Sequence, residues 1–216
     1  KDRVLPLGKI KPNNALFFGL FLSLVSVGTL YIFSNLLAAS ILALTIFFYI
    51  FIYTIWLKKR TPQNIVIGGA AGAFPPMIGW AAIAGSLSME IFLIFAIIFV
   101  WTPPHFWALA LYKSDDYKRA NIPMMPLIVG RKRTVNMIIA YSFILLPVAM
   151  SLSLYYSFFY SVSIFILSSI FVYLSMTLRS NIDKPDFEKK AQNLFFFSIF
   201  YLFNIFSIIL IDNSIW

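Results

Sequence analysis

Long apolar stretches divide the chain into segments that are long enough to cross a lipid bilayer. A bilayer core needs about 20 predominantly apolar residues in a helix, and seven stretches of the sequence meet that requirement. No strand-like alternation recurs at the spacing of a transmembrane barrel, so the pattern predicts an all-α, polytopic transmembrane helical bundle. The predicted spans are Ala15–Phe33, Leu36–Trp56, Ile65–Gly85, Met89–Tyr112, Val135–Tyr155, Tyr160–Leu178 and Asn193–Ile211.

The basic residues fall in alternate connections between these spans. All 17 Lys and Arg residues lie before the first span or after the second, fourth and sixth, and the intervening connections contain none. Because basic loops are retained on the cytoplasmic side, this pattern predicts an N-terminus inside and Trp216 outside. We call the side of the membrane that carries these basic connections the basic side. Only two acids, Glu90 and Asp212, lie towards the opposite side.

Composition excludes several classes of protein. Hydrophobic residues make up 61% of the chain and charged ones 12%, against about 25% charged in an average soluble domain. Without cysteine the chain has no disulfide, thiolate metal site or cysteine nucleophile. The net charge of +9 lies in loops rather than along one polar face, so no nucleic-acid partner is expected.

The chain begins at Lys1 with no signal-peptide pattern, and we expect a fragment or a processed product.

The longest polar loop, which follows the fourth span, carries candidate metal ligands. It combines the adjacent carboxylates Asp115 and Asp116 with Lys113, Lys118 and Arg119. Two carboxylates at the lip of an apolar cavity suit Mg²⁺, which favours phosphate oxygens as its other ligands. The flanking cations suit the outer phosphate oxygens. The alternative is an ordinary solvated turn at the membrane surface.

The only histidine, His105, lies inside the fourth span. A helical rise of about 1.5 Å per residue places it roughly 11–12 Å below the inner surface. Ionisable residues at that depth are rare and typical of functional sites, although a packed, neutral histidine bonded to a carbonyl is the alternative. Pro103 and Pro104 precede it, and Pro75 and Pro76 lie inside the third span. Both pairs are expected to break their helices around a central pocket.

The junction of the second and third spans adds cations and small residues. The segment Tyr53–Asn64 brings three cations, side-chain amide groups and hydroxyls to the inner surface. Such cations can neutralise a diphosphate, or they can serve only to orient the span. Gly68 and Gly72 have the four-residue spacing that lets transmembrane helices approach closely, which predicts a packing role.

Several segments form a recognisable series, and the resemblance that they carry extends over essentially the whole chain. They are Arg3–Ile10, Tyr53–Pro76, Trp101–Leu111, Asp116–Tyr117 and Ile122–Pro126. The series resembles the protohaem IX farnesyltransferases, which are UbiA-type intramembrane prenyltransferases. One departure is Val4, which stands where that family usually has proline.

The resemblance implies a nine-helix fold around a cavity open to the cytoplasmic face. Residues 1–216 would be a single transmembrane prenyltransferase domain with seven of those helices, lacking the first two helices and the first acidic loop. The implied reaction transfers farnesyl from farnesyl diphosphate to a vinyl group of haem b, with water added, giving haem O for haem A biosynthesis. Mg²⁺ is the implied cofactor. The implied partners are farnesyl diphosphate, haem b, the lipid bilayer of a bacterial inner or mitochondrial inner membrane, and a haem A synthase.

The resemblance also assigns roles to individual residues. His105, Asp115 and Asp116 would be catalytic, with the two aspartates holding the metal. His105 would approach the haem iron or a propionate, and both remain open. The implied diphosphate contacts are Arg3, Tyr53, Lys58, Lys59, Asn64 and Lys113. The implied walls of the haem and prenyl pocket are Phe74, Trp80, Trp101, His105, Phe106 and Trp107.

Three other hypotheses compete with this one. A prenyltransferase acting on a quinone precursor would share the spans and the aspartate pair, but not the segment Trp101–Trp107. A membrane transporter would share helices broken near the midplane, but no Asp, Glu, Lys or Arg lies in the interior of any predicted span to couple ions. The third is an inactive remnant or split-gene product that needs two further helices.

Overall fold

A computed structural model of the protein describes Leu5, residues 7–114 and residues 123–215. The described residues are mostly helical and contain no strand. Within the described residues, seven helices are long and apolar enough to cross a membrane, which confirms the prediction of an all-α polytopic bundle. The elements are α1 (Pro12–Phe33), α2 (Leu36–Phe47) continued by a π-helix (Phe48–Leu57), α3 (Asn64–Ala73), α4 (Pro75–Ala84), α5 (Met89–Tyr112), α6 (Met125–Val129), α7 (Arg131–Met150) continued by a 3₁₀ turn (Ser151–Leu154), α8 (Phe158–Ser180) and α9 (Phe187–Ile215).

The main boundary errors are at the basic side. α7 begins at Arg131 rather than Val135, and α9 begins at Phe187 rather than Asn193. A hydropathy criterion ends a span where charges begin, whereas a helix can continue into the aqueous surface as long as its backbone bonds are made. The first turns of α7 and α9 therefore carry basic residues at the surface of the membrane.

The two proline pairs have different effects. The third span is divided at Phe74 into α3 and α4, as predicted. The predicted break before His105 is wrong, because α5 continues through Pro103 and Pro104. α5 packs against α3, α7 and α9, and such neighbours allow a proline-containing transmembrane helix to persist.

The core lies among α5, α7, α8 and α9, which pack against one another. Hydroxyl groups join these helices inside the membrane region. Ser142 and Ser175 are 2.8 Å apart between α7 and α8, and Ser168 and Tyr201 are 3.0 Å apart between α8 and α9. Because the bilayer core contains no water to satisfy these groups, pairing them fixes the lateral order of the helices.

Glu90 and Asp212, the two acids that lie opposite the basic side, both accept hydrogen bonds. The Tyr156 hydroxyl donates to Glu90, and burial, followed by this hydrogen bond, raises the pKa of Tyr156. Asp212 accepts hydrogen bonds from the hydroxyl and, at 2.9 Å, the backbone N–H of Ser157. Ser157 caps α8, so Asp212 ties the end of α9 to the start of α8. These acids stabilise the outer end of the bundle.

The first two spans form a flank on this core. α1 packs on α2 and has no buried residue, while α2 packs on α4 and the π-helix packs on α3. The flank therefore reaches the core through the third span. The spaces that this arrangement leaves open are the candidate functional site.

Candidate functional site

A cavity of about 460 Å³ lies where the π-helix, α3 and α5 meet, and we call it the central cavity. The π-helix places Tyr49 and Tyr53 on its wall, with their rings 5.4 Å apart. π-helical turns are rare and occur frequently at functional sites. The full lining is Tyr49, Tyr53, Ile65, Gly68, Gly69, Gly72, Pro75, Pro76, Ile98, Trp101, Thr102, Phe106 and Leu202.

Two adjacent glycines of α3 allow its neighbours to approach. A Cβ atom at Gly68 would lie 2.3 Å from Tyr53 Cδ2, and one at Gly69 would lie 2.8 Å from Thr102 Cγ2. Gly72 has no such neighbour within 4 Å and borders the cavity. The predicted packing pair of Gly68 and Gly72 is thus correct only for Gly68. The second close approach is at Gly69 instead, because α3 packs against the π-helix at Gly68 and against α5 at Gly69.

The ring of His105 is held between aromatic side chains. It stacks on Trp101 and Phe195 at centroid distances of 4.3 and 4.8 Å, and Phe106 meets it edge-on at 5.0 Å. Trp101 is fixed in turn, since its Nε1 donates to the carbonyl of Ser198 at 2.8 Å. His105 is buried. The imidazole therefore has little rotational freedom.

Ser198 sets the position of the proton on His105. Its Oγ lies 2.5 Å from the Phe195 carbonyl oxygen and 2.6 Å from His105 Nδ1. A hydroxyl has one proton and a carbonyl can only accept, so Ser198 donates to Phe195 and accepts from His105. Nδ1 therefore carries hydrogen, and Nε2 of the neutral ring presents a lone pair. No other hydrogen bond of His105 occurs in the described part of the chain.

His105 borders a second space, which we call the α9 groove. The groove has a volume of about 460 Å³ and shares Trp101 and Leu202 with the central cavity. These two side chains thus form the wall between the two spaces. The groove is lined by Trp101, His105, Ile199, Leu202, Phe203, Phe206, Ser207 and Leu210.

A third space, the α1 cavity, extends the central cavity towards the first span. Its volume is about 560 Å³, and it shares Tyr49 and Gly72 with the central cavity. Its other lining residues come from α1, α2, the π-helix and α3 and are almost all apolar. The two cavities together offer an elongated, apolar path.

Lys58 lies beside Tyr53, a lining residue of the central cavity, although it is not itself part of that lining. It is half-buried, and its Nζ lies over the Tyr53 ring at 5.9 Å. Asn64, only 1% exposed, donates from Nδ2 to the Lys58 carbonyl at 3.0 Å. The Oδ1 atom of Asn64 is buried without a partner among the described residues. Asn64 thus positions the backbone of Lys58 with one of the two N–H donors of its side-chain amide.

Other predicted cations are at the surface. Lys59 and Lys113 are exposed, and Lys113 Nζ lies 5.3 Å from the centre of the Tyr112 ring. Within residues 7–114 and 123–215, neither they nor Lys58 form an ion pair. Cations without a carboxylate partner are free to meet an anion.

The predicted aromatic walls divide into two groups. Trp101 and Phe106 line the central cavity. Phe74 instead packs on Phe95 at 5.0 Å, and Trp80 packs against the core. Trp107 is fully buried in the core against Tyr141 at 5.4 Å. These last three are outside the lining of the central cavity and the α9 groove, because they lie on other faces of their helices.

Three predicted residues, Arg3, Asp115 and Asp116, lie outside the described residues. In the described part, no group of three or more His, Asp or Glu residues could hold a metal ion. The Mg²⁺ assignment therefore stays a prediction that rests on the aspartate pair.

The sequence matches the UbiA prenyltransferase family over residues 1–200. The chain belongs to this family. It is 51% identical over 216 residues to a protein of Mesorhizobium japonicum named protoheme IX farnesyltransferase 2, covering 99% of this chain and 69% of that relative. Proteins named protoheme IX farnesyltransferase from Beijerinckia indica and Bartonella bacilliformis are each 50% identical, covering 99% and 100% of this chain and 67% and 70% of the relatives. No solved structure matches.

Sequence reasoning missed several site residues of this UbiA-family chain. Ser198 is a single hydroxyl in a phenylalanine-rich span, and such residues usually bond only to their own helix. Tyr49 gave no signal, because a normal α-helix does not predict the wider π-helical turn. Leu202 resembles any apolar residue. Their roles depend on contacts between helices that are far apart in sequence.

We expect the ¹⁵N spectrum of His105, the only histidine, to show hydrogen on Nδ1 and a bare Nε2. In Ser198→Ala the acceptor for Nδ1–H is removed, so the proton should move towards Nε2. Ser207→Ala is the matched control, since this serine lies on the same helix and bonds to its own helix at Phe203. An Nε2-protonated ring in the parent protein would contradict the assignment.

Gly68→Ala should lower the thermal stability of the detergent-solubilised protein. The new methyl group overlaps Tyr53, and overpacking costs about 1–3 kcal/mol, which exceeds the gain of up to ~1 kcal/mol from helix propensity. Gly72→Ala has open space and should leave stability unchanged or raised. Equal melting temperatures for the two variants would show that the close contact with Tyr53 is not needed.

Proposed function

We propose that this chain transfers the farnesyl group of farnesyl diphosphate to a vinyl group of haem b, forming haem O. The observation that carries the proposal is an apolar cavity that adjoins a groove bordered by a buried histidine. Beside the cavity lies Lys58, a cation without an ion pair among the described residues. The names of relatives at 50–51% identity specify the two substrates. Their names do not favour the quinone or transporter hypotheses.

The central cavity and the α1 cavity suit the prenyl chain. Ligand pockets typically have volumes of about 300–1,000 Å³, and each of these cavities lies in that range. Because they meet at Tyr49 and Gly72, a long isoprenoid can extend from one into the other. The apolar lining favours a hydrocarbon chain and excludes water.

Lys58 is the residue best placed to receive the diphosphate. Its Nζ lies over the ring of Tyr53, which lines the central cavity, and Asn64 fixes its backbone. Lys59 and Lys113 add charge at the surface on the same side of the membrane. Bound Mg²⁺, held by Asp115 and Asp116, would add electrostatic stabilisation of the leaving group.

The chemistry begins when the bond between farnesyl C1 and the diphosphate oxygen breaks, with the electron pair leaving on oxygen. Cations at the diphosphate lower the cost of that charge. The allylic cation is stabilised by nearby ring faces, among which Tyr53, Trp101 and Phe106 line the cavity. The vinyl π electrons then form the new carbon–carbon bond. Water adds to the resulting porphyrin-side cation and loses a proton.

The α9 groove suits the porphyrin. Its lining is apolar, and His105 is held with a lone pair on Nε2, the form in which imidazole binds iron or accepts a hydrogen bond. Because Trp101 and Leu202 separate the groove from the central cavity, the two substrates would meet at this wall. Movement of that wall would bring the vinyl group to C1.

We infer that the protein works in a bacterial inner or mitochondrial inner membrane with its basic loops on the cytoplasmic or matrix side. The alternation of basic connections supports that orientation. Haem O is the precursor of haem A in this scheme, so a haem A synthase is the proposed partner that receives the product.

Membranes containing this chain should form farnesylated haem, detected by mass spectrometry, from haem b, farnesyl diphosphate and Mg²⁺. His105→Ala should insert normally but lower the yield about a hundredfold or more, because the haem is no longer positioned. Phe92→Ala, an exposed residue on the same helix, is the control and should retain the yield.

The chain covers 69% of the Mesorhizobium relative, so a parallel assay co-expresses the unmatched part of that protein. Product in either arm supports the proposal. An unchanged yield in His105→Ala would remove the role of His105, and absence of product in both arms would contradict the proposed reaction.

A further inference from the structure

Cations from two different loops line one cleft at the basic side of the bundle. The cleft has a volume of about 760 Å³ and lies between the start of α7 and the connection from α8 to α9. It shares no lining residue with the central cavity, the α9 groove or the α1 cavity. Its lining is Arg131, Lys132, Arg179, Ile182, Asp183, Lys184 and Pro185.

The charge of this cleft is not balanced by its own acids. Asp183 is the only acid in the lining. Arg131 pairs with exposed Glu188 at 3.4 Å, whereas Lys132, Arg179 and Lys184 form no ion pair within the described residues. Three cations of the cleft therefore lack a carboxylate partner and attract an anion.

The backbone adds to this positive potential. α7 begins at Arg131 after Gly130, and no side chain caps its first amides. The start of a helix carries a partial positive charge and exposed N–H donors. On the other wall the chain is folded into turns, with the Lys184 N–H donating to Asn181 at 3.0 Å. The cations thus lie on ordered backbone.

The cleft lies at the level of lipid headgroups. Arg131 is the first residue of one helix that is long and apolar enough to cross the membrane, and Arg179 is in the last turn of another. Below Arg179, exposed apolar side chains follow α8 at three-residue spacing, at Met176, Tyr173 and Ile170. Residues three apart form a continuous ridge on a helix. A molecule with an anionic head and an apolar tail fits both features.

We propose that this cleft binds the phosphodiester headgroup of an anionic phospholipid, whose acyl chains lie along the exposed row of α8. Basic pockets between transmembrane helices at the cytoplasmic side have the chemistry that binds such headgroups. The positive-inside orientation of the spans explains why basic residues occur before α7 and between α8 and α9. It does not explain why basic residues from these two places line the same cleft. Arg133 and Lys189 serve orientation equally well and lie outside the lining.

The experiment compares two double variants with the same loss of charge. Lys132→Gln with Arg179→Gln removes two cations of the cleft, and Arg133→Gln with Lys189→Gln removes two neighbours outside it. Arg131 is kept, because it also contacts Glu188 and Phe187. Each protein is placed in phosphatidylcholine nanodiscs with increasing phosphatidylglycerol. Retained lipid is counted by native mass spectrometry, and thermal stability is recorded with and without inorganic phosphate.

The parent protein and the control variant should retain phosphatidylglycerol and gain stability from it. The cleft variant should bind it roughly thirtyfold more weakly, as expected from about 1 kcal/mol for each of the two lost cations near the surface. Equal weakening in both double variants would overturn the proposal in favour of a general surface potential. Equal stabilisation by inorganic phosphate without anionic lipid would also overturn it, since the ligand would then be a free anion.

Discussion

The close contact of α3 with two neighbours is the constraint on which the candidate site depends. Gly68 admits the Tyr53 ring, and Gly69 admits Thr102, so α3 lies against the π-helix on one side and α5 on the other. Any side chain at these positions would separate the flank of the first two spans from the core. The central cavity exists because the π-helix contacts α3 at Tyr53 while Gly72, one turn further, has open space.

Around that cavity the protein fixes a few polar groups and leaves the rest of the space apolar. Ser198 and two stacked aromatic rings determine the orientation and hydrogen position of His105. Asn64 holds the backbone of Lys58 by a hydrogen bond to its carbonyl, beside the cavity residue Tyr53. In a medium of low polarity, each of these groups is strongly favoured in one arrangement, because an unpaired alternative is costly. Rigid polar groups beside an apolar cavity are suited to generating a cation sheltered from water.

Much of the fold could be predicted from the sequence, since apolar length and the positions of Lys and Arg determine the spans. The division at Pro75 was also predictable, but the continuity of α5 through Pro103 and Pro104 was not, because packing of neighbouring helices decides it. Of the residues predicted to wall the haem and prenyl pocket, His105, Trp101 and Phe106 border the cavities. Trp107 and Ser198 show what the sequence could not predict. Trp107 faces the core and Ser198 faces His105. Only the packing of α5 with its neighbours determines which residues face the core and which face the site.

The most direct test of the account is photolabelling with a farnesyl diphosphate analogue that carries a benzophenone at the end of its prenyl chain. We expect the label on peptides of α1, the π-helix and α3 that line the α1 and central cavities, competed by unlabelled farnesyl diphosphate and lost in Lys58→Gln. Label confined to exposed residues outside the cavities, such as Phe158 and Phe165, or label that farnesyl diphosphate does not displace, would contradict a prenyl diphosphate site in these cavities.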